Sequence, residues 1–387
     1  MHQALKYLLD LIPPFNNLSG IVQDVIVMVV LLIIFVIFVS VSALVLIWLE
    51  RKISARMQNR VGPMVAAPWG WRSRNMWTGG LLQTGADAIK LLFKEDIIPS
   101  QVDLPVYKSA SYLVITATML SLIVIPIGQD LVVSNMNVGL LYLLAVSSLT
   151  VISIMMAGWG SNNKYSLLGG LRSVAQMISY EVPMIVALMG PVIMAGSLNL
   201  QDIVNSESTF LRLTFGSHHF MVGWPAWLVV NFLGFVVYLI CGNAETNRPP
   251  FDLVEGESEL VAGFSTEYSG MRFAMFYLAE FINMFIISCV ATLVFLGGWK
   301  IGFNIDPLLI QHLPLVVVDL IGFVVFMTKA YLMVLLFMWV RWSFPRLRAD
   351  HLMSFGWKVL LPTALVNLVI ATFVTTIWVI FASGALG

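Results

Sequence analysis

Charge is scarce in this sequence. Only 11% of its 387 residues are Asp, Glu, Lys or Arg, against about 25% in an ordinary soluble domain. That excludes a chain that exposes most of its surface to water. No basic surplus exists either: 21 Lys and Arg stand against 21 Asp and Glu, and a nucleic-acid-binding face needs clustered positive charge. Cysteine is nearly absent. Cys241 and Cys289 sit far apart in apolar stretches and cannot supply the four thiolates of an iron–sulfur cluster; they read as small buried hydrophobes. His218 and His219 lie in one loop with no metal-ligand companions, so no metal site is expected. The first twenty residues contain Pro13, Pro14, Asn16 and Asn17, which interrupt any apolar core of a cleavable secretion signal. Internal repeats, low-complexity tracts and the alternating ten-residue segments of membrane β-barrels are also missing. Nor is there the paired helix breakage of inverted-repeat transporters.

What fills the chain instead is apolar sequence, 59% of it hydrophobic. Runs that can cross a bilayer, about 20 residues each, recur along its whole length. They predict a single polytopic membrane domain over residues 1–387. Its expected spans are about 25–49, 109–127, 138–158, 176–197, 224–244, 271–296, 314–340 and 358–382. The fold class is therefore all-α, with eight transmembrane helices, because lipid offers no partner for unpaired backbone groups. Basic residues set the orientation. Seventeen lie in the odd-numbered loops: Arg51, Lys52, Arg56, Arg60, Arg72, Arg74, Lys90, Lys94, Lys108, Lys164, Arg172, Arg248, Arg272, Arg341, Arg346, Arg348 and Lys358. Only Lys6, Arg212 and Lys300 fall on the other side. This bias places the odd loops and their acids on the inner, cytoplasm-equivalent face. The first of these loops is long. Leu81, Leu82, Ala88, Ile89, Leu92 and Phe93 within it predict an amphipathic interfacial helix.

The fifth loop concentrates the chemistry. Residues 245–280 hold Glu245, Asp252, Glu255, Glu257, Glu259, Glu267 and Glu280, seven of the chain's 21 acids, on the side topology marks as positive. They are interleaved with Pro249, Pro250, Phe251, Leu253, Val254, Leu260, Val261 and Phe264, a pattern unsuited to a fully wet loop. Clustered carboxylates repel, so some are expected to exchange protons near neutral pH. Glu181 begins the fourth span, Glu245 closes the fifth, and Glu280 lies about 13 Å into the sixth at helical rise. An ionisable group at membrane depth is a functional candidate by default. Lys329, in the seventh span with Asp319 nearer its outer end, reads either as half of a structural ion pair or as functional. The first loop, Glu50-Arg-Lys-Ile-Ser-Ala-Arg-Met-Gln-Asn-Arg-Val-Gly-Pro63, supplies the opposite charge. Its bases suit lipid headgroups or pairing with acids, with Arg51 and Arg60 the favoured partners. Asp87 faces the same side.

Five segments together resemble the complex I membrane subunit at the junction of membrane and peripheral arms, the one known in mitochondria as subunit 1. They are Glu50 to Pro63, Ala86 to Lys90 with Lys94-Glu95, Ser161 to Ser166, Leu171 to Pro183, and above all Glu245 to Tyr268. The resemblance covers about residues 25–382. It implies eight transmembrane helices and no bound cofactor, with quinone as the substrate. It implies chamber and portal residues at Arg51, Arg60 and Asp87. It implies proton-path acids at Glu181, Glu245, Asp252, Glu255, Glu257, Glu259 and Glu280. Partners would be the other complex I membrane subunits, the peripheral-arm iron–sulfur and quinone-site subunits, and membrane lipid. The segment between Pro63 and Gln83 is longer than the family pattern, and its Trp69, Trp71 and Trp77 with Arg72 and Arg74 suit an interfacial anchor. Three rival readings stand beside this one. They are the related membrane subunit of a proton-reducing hydrogenase, a photosynthetic-type ferredoxin:quinone oxidoreductase, and a stand-alone ion-coupled transporter. The expected location is a bacterial inner membrane, with a mitochondrial inner or thylakoid membrane as alternatives.

Overall fold

The computed structural model describes residues 20–64, 66, 79–129, 131–210, 212–215, 218–221, 223–253, 262–302 and 315–382. Glu255, Glu257 and Glu259 lie outside the described residues, as do Trp69, Trp71, Arg72, Arg74 and Trp77. The helices are α1 (Gly20–Met57), α2 (Gln83–Phe93), α3 (Leu104–Leu122), α4 (Gly139–Gly160), α5 (Lys164–Ala195) and α6 (Leu200–Thr209). A hairpin of β1 (Arg212–Phe215) and β2 (His218–Met221) follows, antiparallel with Arg212 opposite Met221. Then come α7 (Trp224–Val230), α8 (Phe232–Glu245), α9 (Gly270–Phe295), α10 (Leu315–Ser343), α11 (Ala349–Phe355) and α12 (Leu361–Ala382). A short π turn over Gly356–Leu360 joins α11 to α12.

Six helices among the described residues are long and apolar enough to cross a membrane, and seven if α7 and α8 count as one bent span. The chain is thus a multi-pass helical membrane protein. Where expectation and structure differ, the causes are local. The second expected span falls on α3, but Pro105, Tyr107, Lys108, Ser109 and Ser111 dilute its apolar character and it is not among the six. Helix α1 is longer than the expected 25–49, because Glu50–Met57 contains no helix breaker and continues the helix past the apolar run. Between α7 and α8 the chain bends by 81°. The bend falls at Asn231, whose backbone N–H and side-chain amide both donate to the Trp227 carbonyl, at 3.1 and 3.2 Å. The hairpin is the one departure from an all-helical chain among the described residues.

Helix α9 is the central post. Phe281, Met284, Ala291, Leu293, Val294 and Phe295 on it are fully buried. Apolar surface does not drive helices together inside lipid, so cohesion depends on close approach and buried hydrogen bonds. Both are present. Gly158 of α4 and Gly170 of α5 face each other so closely that a Cβ on Gly158 would stand 3.3 Å from the Gly170 Cα. Tyr238 of α8 donates to the Ile287 carbonyl of α9 at 3.0 Å, and Tyr180 of α5 donates to the Leu352 carbonyl of α11 at 2.9 Å.

One glycine contact positions the fifth loop. A Cβ on Gly169 of α5 would come within 2.7 Å of the Gly263 Cα, which is backbone and cannot rotate away. Gly263 itself adopts a positive φ of 57°, a conformation that favours glycine. Gly169→Ala therefore pushes the 263–265 turn off α5. The expected result is a destabilisation of about 1–3 kcal/mol, read as a lowered melting temperature of the purified assembly. Wild-type stability would show that the crossing is looser than this geometry.

Candidate functional site on the inner face

The inner end of α1 brings together groups from three loops. Glu50 is buried at 6% exposure. One of its carboxylate oxygens accepts from Arg248 at 2.8 Å and the other from Arg341. Arg248 is 3% exposed, and its guanidinium carbon lies 4.4 Å from the centroid of the Phe281 ring. Guanidinium groups suit such a place, being planar, weakly hydrated and able to stack. Its Nε and Nη2 are buried without a hydrogen-bond partner among the described residues. The cluster ties the first, fifth and seventh loops to the central helix.

Next to it, Arg51 pairs with Asp87 at 2.5 Å, and Gln83 donates to the other Asp87 oxygen at 3.3 Å. These contacts hold α2 against the end of α1. The pair is open, its side chains 40% and 32% exposed, so its own stabilising effect is at most about 1 kcal/mol. Arg60 was expected to pair with an acid. Among the described residues its partners are instead Gln58, which accepts at 2.7 Å, and Ser54, which accepts at 3.5 Å. Arg60 follows the left-handed residue Asn59, and that turn directs its guanidinium back along its own strand of chain. On α2, Thr84 is buried while Ile89, Leu92 and Phe93 are exposed, Phe93 by 87%. The apolar stripe seen in the sequence thus faces outward.

Deeper in, the acids of three helices converge. Two adjoining cavities share Glu245 and Asn283 in their walls. The one nearer the inner face also includes Glu280, Asn247, Thr246 and Thr150. The one farther in includes Ser121, Ser147 and Tyr238. Each leaves about 20 Å³ for water centres, above the ~10–15 Å³ that one water needs. Glu245 is half-buried, and the exposure it retains opens onto these cavities. Glu181 of α5 lies close enough to act on it electrostatically. The floor of the cluster is a polar network: Gln176 donates to the Ala244 carbonyl at 2.8 Å and to the Asn247 side-chain oxygen at 3.4 Å, and Ser173 donates to that same oxygen at 3.3 Å.

The stem of the fifth loop is ordered by tyrosines. Tyr107 and Tyr268 stack at 4.2 Å, Tyr107 donates to the Glu267 carbonyl at 2.7 Å, and Tyr268 donates to the Tyr107 carbonyl at 3.0 Å. Burial pushes the Tyr268 phenol up, so it remains a neutral donor at all working pH. The Glu267 carboxylate accepts from Asn163 at 2.6 Å. Asp252 follows the Pro249-Pro250 pair, half-buried between Phe251 and Leu253.

The structure therefore brings Glu181, Glu245 and Glu280 together, joins Arg51 to Asp87, and gives Arg60 no acid partner among the described residues. Sequence reasoning missed Glu50, Arg248, Arg341, Gln176 and Asn283. Glu50 and Arg248 sit inside the two motifs that drew attention, but nothing in a linear pattern pairs them. Among the described residues no group of three or more His, Cys, Asp or Glu could hold a metal ion.

Comparison with known proteins identifies the family. The family model of the NADH dehydrogenase family matches residues 29–372. The H-subunit of NADH-quinone oxidoreductase from Dehalococcoides mccartyi strain CBDB1 is 44% identical over 336 residues, covering 87% of this chain and 83% of that protein. Its counterpart from D. mccartyi strain ATCC BAA-2266 is 45% identical over the same shares. With most of its length matched by the family and by these relatives, the chain belongs to the NADH dehydrogenase family.

Proposed function

We propose that this protein, as a membrane subunit of NADH-quinone oxidoreductase (complex I), builds the membrane-side wall of a quinone chamber and carries the entry of its proton path. The observation that carries this reading is the pair of water-sized cavities that share Glu245 and Asn283, with Glu280 in the wall of one and Glu181 acting on Glu245. Reduction of a quinone consumes two protons, and the charge that develops during it is felt by carboxylates in a poorly solvated site. Glu181, Glu245 and Glu280 respond by exchanging protons. Asp252, Glu255, Glu257, Glu259 and Glu267 belong to the same proton path.

Electrons reach the quinone from soluble partner subunits docked on the inner face, which supply the iron–sulfur centre; other membrane subunits receive the proton signal. On this reading α3 and the α7–α8 pair complete eight spans in a single polytopic domain. Helix α2 lies in the interface with Ile89, Leu92 and Phe93 in lipid, next to the opening through which an isoprenoid tail enters. A bacterial plasma membrane is the setting.

Arg51, Asp87 and Arg60 frame that opening. Arg51→Ala and Arg60→Ala are expected to slow quinone reduction several-fold, while electron transfer from NADH to an artificial acceptor upstream of the quinone stays at the wild-type rate. Equal loss of both activities in a fully assembled complex would rule out a role at the quinone.

A further inference from the structure

A second buried carboxylate lies at the opposite, outer face, away from the inner acids. Glu207 of α6 is 0% exposed, and neither of its carboxylate oxygens has a hydrogen-bond partner among the described residues. An ionised carboxylate held in this way is strongly disfavoured unless opposite charge is near. That charge is supplied at the carboxyl end of α9 by Lys329 and Lys300. Lys329 of α10 extends its ammonium into the turn after α9 and donates to the carbonyls of Leu296 at 2.6 Å, Gly298 at 3.1 Å and Lys300 at 2.7 Å. It lies 4.8 Å over the Trp224 ring of α7. The same turn packs on α6, where Gly298 meets the Val204 side chain.

The charged groups acting on Glu207 are Lys329 and Lys300; the neutral Gly297 N–H favours the ionised carboxylate as well, without closing a hydrogen bond to it. The other elements packed on α6 are α5 and α7. Their nearby ends, Pro191–Ala195 and Trp224–Val230, contain no titratable residue. Burial holds the Glu207 carboxyl well above the usual carboxylate range, with both lysines opposing. Lys300 also donates to Asn205 at 2.8 Å in an exposed position, so this lysine touches outer solvent two residues along α6 from the buried acid.

We propose that Glu207 and Lys329 form an outward-facing proton-exchange site. The neutral Glu207 carboxyl holds a proton between α6 and the α9 terminus and gives it to a solvent water at the Lys300–Asn205 rim. The carboxylate left behind is stabilised by the Lys329 ammonium, which the three carbonyls keep in place. The site takes a proton again when outer pH falls.

This goes beyond the inner-face reading and is tested separately from it. Infrared difference spectra of the purified, assembled complex, titrated from acid to alkaline pH, report each protonated carboxyl through its C=O stretch. Glu207→Gln is expected to remove one such band, and Glu207→Asp to retain a shifted one. Lys300→Gln, at the exposed rim, removes a favourable charge and is expected to move the midpoint of that band upward by about one pH unit. If Glu207→Gln removes no band, Glu207 is ionised throughout and the proposal fails. A midpoint unchanged by Lys300→Gln would overturn it as well, because the acid would then be uncoupled from the outer rim. Glu245→Gln is expected to leave the Glu207 band in place, so failure of the inner path and failure of this site are distinguishable.

Discussion

Glu245→Gln, in the complete complex reconstituted into vesicles, is expected to cut quinone-linked proton pumping by about tenfold or more, equivalent to at least ~1.4 kcal/mol on the limiting step. The substitution keeps the shape of the side chain and its place in both cavities but removes the exchangeable proton. Glu280→Gln should follow it in direction with a smaller effect, because Glu280 lines only the cavity nearer the inner face. NADH oxidation by an artificial acceptor should be untouched in both variants, since that reaction precedes the site. The double variant should be no worse than Glu245→Gln alone if the acids act in one chain. Wild-type rate and proton stoichiometry in both single variants would mean that these carboxylates are structural and that the cavities conduct nothing.

Loss of the Glu50 carboxylate should damage the protein before it damages the chemistry. Glu50 is the common partner of Arg248 and Arg341, and Arg248 is almost wholly enclosed. Removing one member of a buried charge cluster costs about 3–5 kcal/mol because the remaining charges stay desolvated. Glu50→Ala is therefore expected to reduce assembled complex in the membrane sharply and to lower its melting temperature. Replacing Glu50 and Arg248 together by Leu and Met should recover part of the assembly, since the enclosed guanidinium over Phe281 is then gone and only the more exposed Arg341 loses its partner. A double variant as defective as Glu50→Ala would show that the arginine is needed for more than neutralisation. Arg51→Ala offers the contrast: its pair with Asp87 is open to solvent, and assembly should survive.

Much of the inner-face reading was legible in the sequence because membranes impose simple rules. Apolar runs have to be helical, basic residues mark the inner loops, and an acid at depth is conspicuous by its cost. Glu181, Glu245 and Glu280 were found in that way. Interruptions were less legible. Nothing apolar distinguishes residues 224–244 from a straight span, yet the chain bends at Asn231, where a side-chain amide joins the backbone N–H on the Trp227 carbonyl. The extension of α1 to Met57 was hidden for the opposite reason: its last turns are polar but still good helix formers.

By itself the sequence determined residence in a membrane, the side on which the acids are expected, and the motifs that resemble the complex I membrane subunit. These depend on composition and on order along the chain. Only the tertiary structure decided which charges meet. Glu50 reaches Arg248 across 198 residues and Arg341 across 291, and Lys329 finds the carbonyls of a turn about thirty residues away. Such meetings depend on the rotation and depth of each helix as it docks on α9. Packing of small residues and buried hydrogen bonds sets these in lipid, and neither leaves a periodic trace in the sequence.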